Sequence, residues 1–483
     1  PGAGAVLGRT ALLALCSSCL SFLLGGASAF AFESRIFPAA GLLRAGALLP
    51  LVLPPFFHVA VLELLARPGG VLAWLFPFAC EPQQPFPIRS FAFAVWVLGL
   101  SHSPAAFFFV SEGIRSVPRE LVDAARSTQA PLGVALRVIL PLSLPSVMAG
   151  AGIVFTSALL SYEVPRLLDV TTSMVAVQVG YGALEDPGLS FAAAAPLFVL
   201  SAIVLVGSEA WARSRAFALA GREDREPYAP ARRAGPLAWV VFGAWWLLVL
   251  VLPVAALGWL AGGARVFWRV LLTDGEKVLW GAGTAGLAGL AACLAAAGVL
   301  LPAWRAGRPR VLFLWLAFAL PGALLGYALI RLSQWGPLTV LYGTPFLLVL
   351  AGALRFTSVA VLVLEAHMRS VPRDEWDASS LVSPAPRRWL RLRLPLAAPG
   401  LAAGALAAVL LAAGEVSAAV LLASPGQEPV IVRIYNLLHY EPERSVLAAL
   451  CLYHAAATVA MAAAVYGGLR LLGGRRIRIE HPD

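Results

Sequence analysis

The chain has 483 residues, 60% of them hydrophobic and 13% charged, with a formal net charge of +10 and a mean hydropathy of +0.81. Ordinary globular chains carry about 25% charge and about 45–50% apolar residues, so this composition excludes a water-soluble domain and points to lipid as the solvent. The basic balance does not indicate nucleic acid, because the arginines sit between apolar runs without a basic stripe of interleaved aromatics.

Apolar runs long enough to cross roughly 30 Å of hydrocarbon fall at about 10–32, 40–66, 89–111, 145–165 and 190–211, then at 236–261, 278–301, 311–331, 345–367, 399–423 and 445–469. The expected fold class is therefore all-α: a polytopic membrane protein with two homologous bundles of transmembrane helices. About eleven spans are visible. A twelfth is expected before Pro1, because helix 236–261 precedes the second bundle and the first bundle has no counterpart. The first run also reads as a cleaved signal peptide, with GASAFAF offering small residues for cleavage. Its length, and the matching segment 278–301, favour a membrane span. Prolines within the runs (Pro50, Pro54, Pro55, Pro104 and Pro321) predict kinks that neighbouring helices must compensate.

Segment 67–88 reads as an external loop rich in proline and aromatics, with Trp74 and Phe76 at the membrane interface. Segment 213–235 mixes charge with Ala, Pro and Gly and reads as a cytoplasmic linker. The expected organisation is a first module over 1–211, a linker over 212–235 and a second module over 236–483.

Little in the chain supports chemistry of its own. Lys277 is the sole lysine, and its context TDGEKVL lacks the Gly-x-x-x-x-Gly-Lys-Ser/Thr loop that cradles phosphates. An ATP-driven step therefore requires a separate subunit, which would hold ATP and Mg. No catalytic residue and no cofactor are expected here. Of the five cysteines, Cys16 and Cys19 form a C-x-x-C pair inside an apolar run, which reads as two small apolar residues one turn apart rather than a redox site. No His, Cys, Asp or Glu spacing suggests a metal site.

The most informative feature is a repeat. Segment 115–151, RSVPRELVDAARSTQAPLGVALRVILPLSLPSVMAGA, aligns without a gap with 369–405, RSVPRDEWDASSLVSPAPRRWLRLRLPLAAPGLAAGA, sharing 16 of 37 positions at an offset of 369 − 115 = 254. In each copy Val-Pro-Arg opens a short helix, with proline at a first helical turn and acids near the helix start: Pro118 with Glu120 and Asp123, and Pro372 with Asp374, Glu375 and Asp377. Pro141/Pro145 and Pro395/Pro399 mark re-entry into the membrane. A polar helical hairpin is expected between them.

Positive charge sets the orientation. With both repeated segments inside, the cytoplasmic loops and tail hold 25 of the 36 basic residues and the opposite side holds nine, leaving aside Arg9 and Arg355. The C-terminus is expected to be cytoplasmic.

The repeated segment resembles the EAA loop of ABC-transporter inner-membrane permeases, Glu-Ala-Ala-x-x-x-Gly followed about ten residues on by Ile-x-Leu-Pro. Asp123-Ala124-Ala125 and Asp377-Ala378-Ser379 match its opening, and Val138-x-Leu140-Pro141 and Leu392-x-Leu394-Pro395 its close. Asp replaces Glu in both copies, Gln129 and Ser383 stand at the Gly position, and each loop is one residue short. The resemblance implies a coupling helix in each loop, at 119–128 and 373–382, docking into a cytoplasmic ATPase. Pro118, Arg119, Glu120, Asp123, Ala124 and Ala125 would serve in the first, and Pro372, Arg373, Asp374, Asp377 and Ala378 in the second. Two loops imply two copies of the ATPase, beside an external or periplasmic substrate-binding protein, in a bacterial inner membrane. The fused double layout, with 414–440 after the second loop, is similar to ferric-iron permeases. Thiamine and 2-aminoethylphosphonate permeases share that layout.

Ionisable residues at membrane depth usually face a cavity or a partner. Glu163 and Glu415 fall in corresponding runs towards the outer face, and Arg355 lies mid-run, within reach of Glu415. One reading makes them line a translocation route between the modules; the other makes them a structural ion pair and interfacial carboxylates. His58 and His102 also lie at depth. A rival function is an ion-coupled secondary transporter with parallel repeats, which would place coupling carboxylates at the midplane.

Overall fold

The computed structural model describes residues 2–77, 85–177, 187–219, 233–303, 314–368, 371, 393–424, 426–440 and 443–473. The protein is all-helical and polytopic, and among the described residues the one extended pairing is an isolated bridge between Ile36 and Arg233. Nine described helices are long and apolar enough to cross a membrane, or ten if a bent pair counts as one span.

Two compact units emerge from the packing: residues 1–271 with 434–452, and residues 272–433 with 453–483. The first contains α1 (Ala3–Glu33), α2 (Ala40–Leu48), α3 (Pro55–Leu65), α4 (Val71–Leu75), α5 (Phe91–Arg115), α6 (Arg119–Arg126), α7 (Pro131–Val134), α8 (Leu140–Leu159), α9 (Glu163–Leu167), α10 (Pro187–Leu219), α11 (Pro236–Trp246) and α12 (Leu252–Ala261). The long α13 (Ala264–Ala303) begins there. The second holds most of α13 with α14 (Trp315–Ala319), α15 (Gly322–Ser333), α16 (Pro345–Met368), α17 (Leu394–Ala413) and α18 (Ser417–Leu422). Both α19 (Val430–Tyr440) and α20 (Arg444–Gly473) are shared. Packing thus divides the chain differently from the repeat, which assigns 236–483 to one module. Helices α11 and α12, and residues 434–452, belong to the first unit. The linker residues 220–232 lie outside the described residues.

Side chains explain why α11 joins the first unit. Pro104 inside α5 cannot donate a hydrogen bond to the carbonyl four residues back, which is that of Leu100. The Ser103 hydroxyl donates to it instead, at 2.7 Å. Trp245 of α11 then donates its indole N–H to Ser103 Oγ at 2.8 Å, and its ring stacks on Phe107 with centroids 5.0 Å apart. Phe32, Phe37 and Phe242 complete this core. Replacing Trp245 by Phe, which keeps an aromatic ring but loses the donor and the second ring of the indole, is expected to lower stability by about 1–3 kcal/mol, read as a lower melting temperature of the detergent-solubilised protein.

Four runs expected as continuous spans are broken. The residue before a proline is pushed out of the helical region: Leu53, before Pro54, has ψ 106°, and Leu320, before Pro321, has ψ 128°. The run 40–66 accordingly bends by 81° between its two halves, and the run 311–331 becomes α14 and α15 among its described residues. The run 145–165 ends with α8 at Leu159, because Pro165 has no N–H to donate to the Ser161 carbonyl four residues back and its ring crowds that carbonyl. The run 399–423 ends with α17 at Ala413, where Glu415 Oε1 takes the Ala418 N–H at 3.2 Å and starts α18.

Prolines also widen two helices into π turns, Ala135–Ile139 and Leu247–Val251. Each turn is centred on the carbonyl that the ring of Pro141 or Pro253 displaces. The carbonyl at Val249 lies 3.4 Å from His58 Nε2.

Candidate functional site

The first repeated loop leaves the membrane at the end of α5 and turns through Ser116, Val117 and Pro118 into α6. Pro118 stands at the N-cap in an extended conformation, one position earlier than the first helical turn expected. The helix is two-faced. Val122 is fully buried and packs with Ile114, Val117, Val134 and Ile139, against which Ala125 also rests. Arg119, Glu120, Leu121, Asp123 and Ala124 are exposed. Asp123 lies 3.3 Å from Arg119 and 3.0 Å from Arg126, while Glu120 in the first turn suits the positive end of the helix dipole.

The helix ends at Arg126, two residues sooner than the 119–128 expected, with Ser127 as its C-cap. The return arm is not a separate polar helix: α7, the π turn and α8 run on from Pro131 into the membrane. Glycine at 113 lets α5 and α8 touch, since a Cβ there would come within 2.9 Å of the Ser143 carbonyl, and Ser146 Oγ donates to the Phe109 carbonyl at 2.8 Å. The loop offers a short, charged, anchored surface suited to docking. In the second copy Pro372, Arg373, Asp374, Asp377 and Ala378 lie outside the described residues.

In the second unit the structure brings Arg355 and Glu415 together. Arg355 Nη1 lies 2.6 Å from Glu415 Oε2, and both side chains are nearly buried. The guanidinium also faces the rings of Phe318 and Phe356, at 6.0 and 5.8 Å from their centroids. Two helix breaks meet at this pair. Glu415 caps α18, and Gly322, at the start of α15, packs so closely that a Cβ there would overlap Glu415 Oε1 and Arg355 Nη1. A cavity with room for a water molecule adjoins it, lined by Gly281, Thr284, Gly352, Ala412, Glu415 and His454.

Glu163 is placed in the first unit, half-buried at the start of α9. Its neighbour Tyr162 accepts a hydrogen bond of 2.6 Å from Tyr435, whose ring lies 4.4 Å from that of His439. His58 is buried between Val249 O and Ser101 Oγ, the latter 3.1 Å from its Nδ1. Its partners are structural. Among the described residues no group of three or more His, Cys, Asp or Glu side chains converges as a metal site would require.

Sequence reading missed a second ion pair, between a buried carboxylate and a half-buried arginine. Glu33, at the end of α1, is 6% exposed and receives both Nε and Nη2 of Arg44 at 2.9 Å. Ser111 of α5 also donates to it. Glu33 closes an apolar run and Arg44 lies within the next, a placement that resembles ordinary span flanks.

Residues 24–214 match the family described as the binding-protein-dependent transport system inner membrane component. A trehalose transport system permease protein, SugB, from Mycobacterium tuberculosis (strain CDC 1551 / Oshkosh) is 29% identical over 201 residues, covering 40% of this chain and 68% of the relative. No solved structure matches. Over the matched stretch, which holds α6 and its loop, the chain is similar to the inner membrane components of binding-protein-dependent transport systems.

Proposed function

We propose that the two repeats together form a fused two-module permease of a bacterial ABC importer, lying in the inner membrane with both repeated loops and the C-terminus in the cytoplasm. The observation that carries this reading is α6: a short helix with a charged outer face, Val122 locked into the membrane-helix ends, and a position inside the matched family segment. Two copies of a cytoplasmic ATPase, each binding its own ATP and Mg, dock at 119–128 and 373–382, and an external binding protein delivers the substrate. Arg355 and Glu415 serve the translocation route, and so does Glu163. An ion-coupled transporter would need no ATPase and has no use for the docking surface.

Two readings of the cargo each have support. The fused layout and segment 414–440 favour ferric iron, with thiamine or a phosphonate in the same layout. The relative named as a trehalose permease favours a sugar. The ligand of the partner binding protein decides between them.

The experiment is co-purification of the full chain with its ATPase. Asp123→Arg together with Asp377→Arg is expected to abolish ATPase recovery and ATP-dependent uptake, while either substitution alone retains part of both. Undiminished recovery in the double variant would overturn the docking role. Uptake that persists without any ATPase would favour the ion-coupled alternative.

A further inference from the structure

We propose that a buried carboxylate at the base of each coupling loop, Glu33 in the first module and Glu365 in the second, is a positioning group that links movement of the loop to the membrane helices. The proposal rests on the permease reading above. It does not concern the docking surface: its side chains lie in or against the membrane helices that lead into the repeated segments.

In the first unit the mechanical path is continuous. Val122 of α6 packs on Ile114 and Val117, so displacement of α6 is passed to the end of α5. That end is braced against α8 by the close approach at Gly113 and the Ser146–Phe109 hydrogen bond. One turn before Arg115, Ser111 donates to Glu33 Oε1. The same oxygen accepts from Arg44 Nε, while Arg44 Nη2 holds Oε2. Glu33 closes α1 and Arg44 lies in α2, so the carboxylate joins three helices directly behind the loop.

Stability alone does not call for this arrangement. A carboxylate at a helix C-terminus opposes the dipole, and burying the Glu33 carboxylate carries a desolvation cost that its half-buried arginine partner must offset. An arginine fork supplies directional hydrogen bonds that an apolar contact lacks. The Ser111 bond can part or re-form as α5 shifts while the fork keeps the carboxylate oriented.

The second unit provides an independent observation. Ser111 corresponds to position 111 + 254 = 365, and that residue is Glu365. It is 7% exposed, in α16, one turn before the second repeated loop. Each module therefore has a buried carboxylate at, or hydrogen-bonded to, the position four residues before its repeated segment, contributed by α1 in one case and by α16 itself in the other. The preserved placement, reached by different chain positions, points to a role of the group itself.

The test uses the full chain reconstituted in proteoliposomes with its ATPase and binding protein, measuring substrate transported per ATP hydrolysed. Glu33→Gln, Glu365→Gln and Ser111→Ala are expected to lower that ratio about fivefold or more, with ATPase co-purification retained. Ser111→Thr, which keeps the hydroxyl, is expected to stay near the wild-type ratio. Should Glu33→Gln fail to fold, the Ser111→Ala and Ser111→Thr pair decides. Ratios at the wild-type value in Ser111→Ala, or a fall in Ser111→Ala and Ser111→Thr alike that tracks a lower melting temperature, overturn the proposal. A wild-type chain that neither recruits an ATPase nor transports overturns the permease reading, and this proposal with it. A competent wild type with unaltered variants overturns this proposal alone.

Discussion

Glu415→Gln is expected to destabilise the second unit by about 3–5 kcal/mol, because it leaves the Arg355 guanidinium buried without its counter-charge. Both partners are about nine-tenths buried, so water screens little of that loss. The carboxamide also gives up the charge-assisted character of the Ala418 cap. Thermal unfolding in detergent, or protease resistance in membranes, measures the change. The informative companion is Arg355→Met with Glu415→Leu, which removes both charges and keeps most of the volume. It is expected to recover most of the lost stability, since paired removal of a buried ion pair is often neutral. Transport in that double variant separates two roles. A stable but inactive protein assigns the pair to the translocation route; a stable and active one makes it a structural clamp between the two helix breaks.

The second large effect concerns α1 against α5. A Cβ at Gly25 would overlap the Ser103 carbonyl and come within 2.8 Å of the Phe107 nitrogen. Both are backbone atoms of the helical turn that spans Pro104, so neither can rotate away. Gly25→Ala is therefore expected to force the helices apart and cost about 1–3 kcal/mol, seen as reduced folded yield and a lower melting temperature. Gly207→Ala in α10 is the matched control. A Cβ there meets nothing within 4 Å, so helix propensity alone operates and stability should hold or rise by up to about 1 kcal/mol. Equal losses at the two positions would remove the close-approach argument.

Much of the architecture was legible in the sequence because membrane spans announce themselves by composition. The repeated loop was legible because identity at a fixed offset is independent of fold. The helix breaks were harder. Pro54 and Pro321 were visible as kinks, but whether a proline bends or severs a helix depends on the residue before it, and Leu53 and Leu320 both adopt extended ψ values. The ends of α8 and α17 depended on a proline inside the following short helix and on a carboxylate turning back to cap its own chain. Arg355 and Glu415 stood out as charges in apolar runs, and their pairing spans 60 positions. Glu33 and Arg44 did not stand out, because a charge at the flank of an apolar run is what topology alone would place there. The assignment of α11 to the first unit rests on Trp245 finding Ser103, a contact across 142 positions that no periodicity encodes.

The widened turn at Ala135–Ile139 bears on how such loops are compared. The matching position in the second copy is Arg393, since 139 + 254 = 393, and the residues before it lie outside the described residues. In an α-helix each residue is worth about 100° of rotation, so a single insertion or deletion would normally swing the polar hairpin to another side of the membrane helix. A π turn absorbs one extra residue locally and preserves the phase on either side of it. Gap-free alignment through this point therefore equates residues that face different directions in loops of other lengths. Leu140-Pro141 after this turn, and Leu394-Pro395 at the matching place, are fixed references from which both helix phases can be counted.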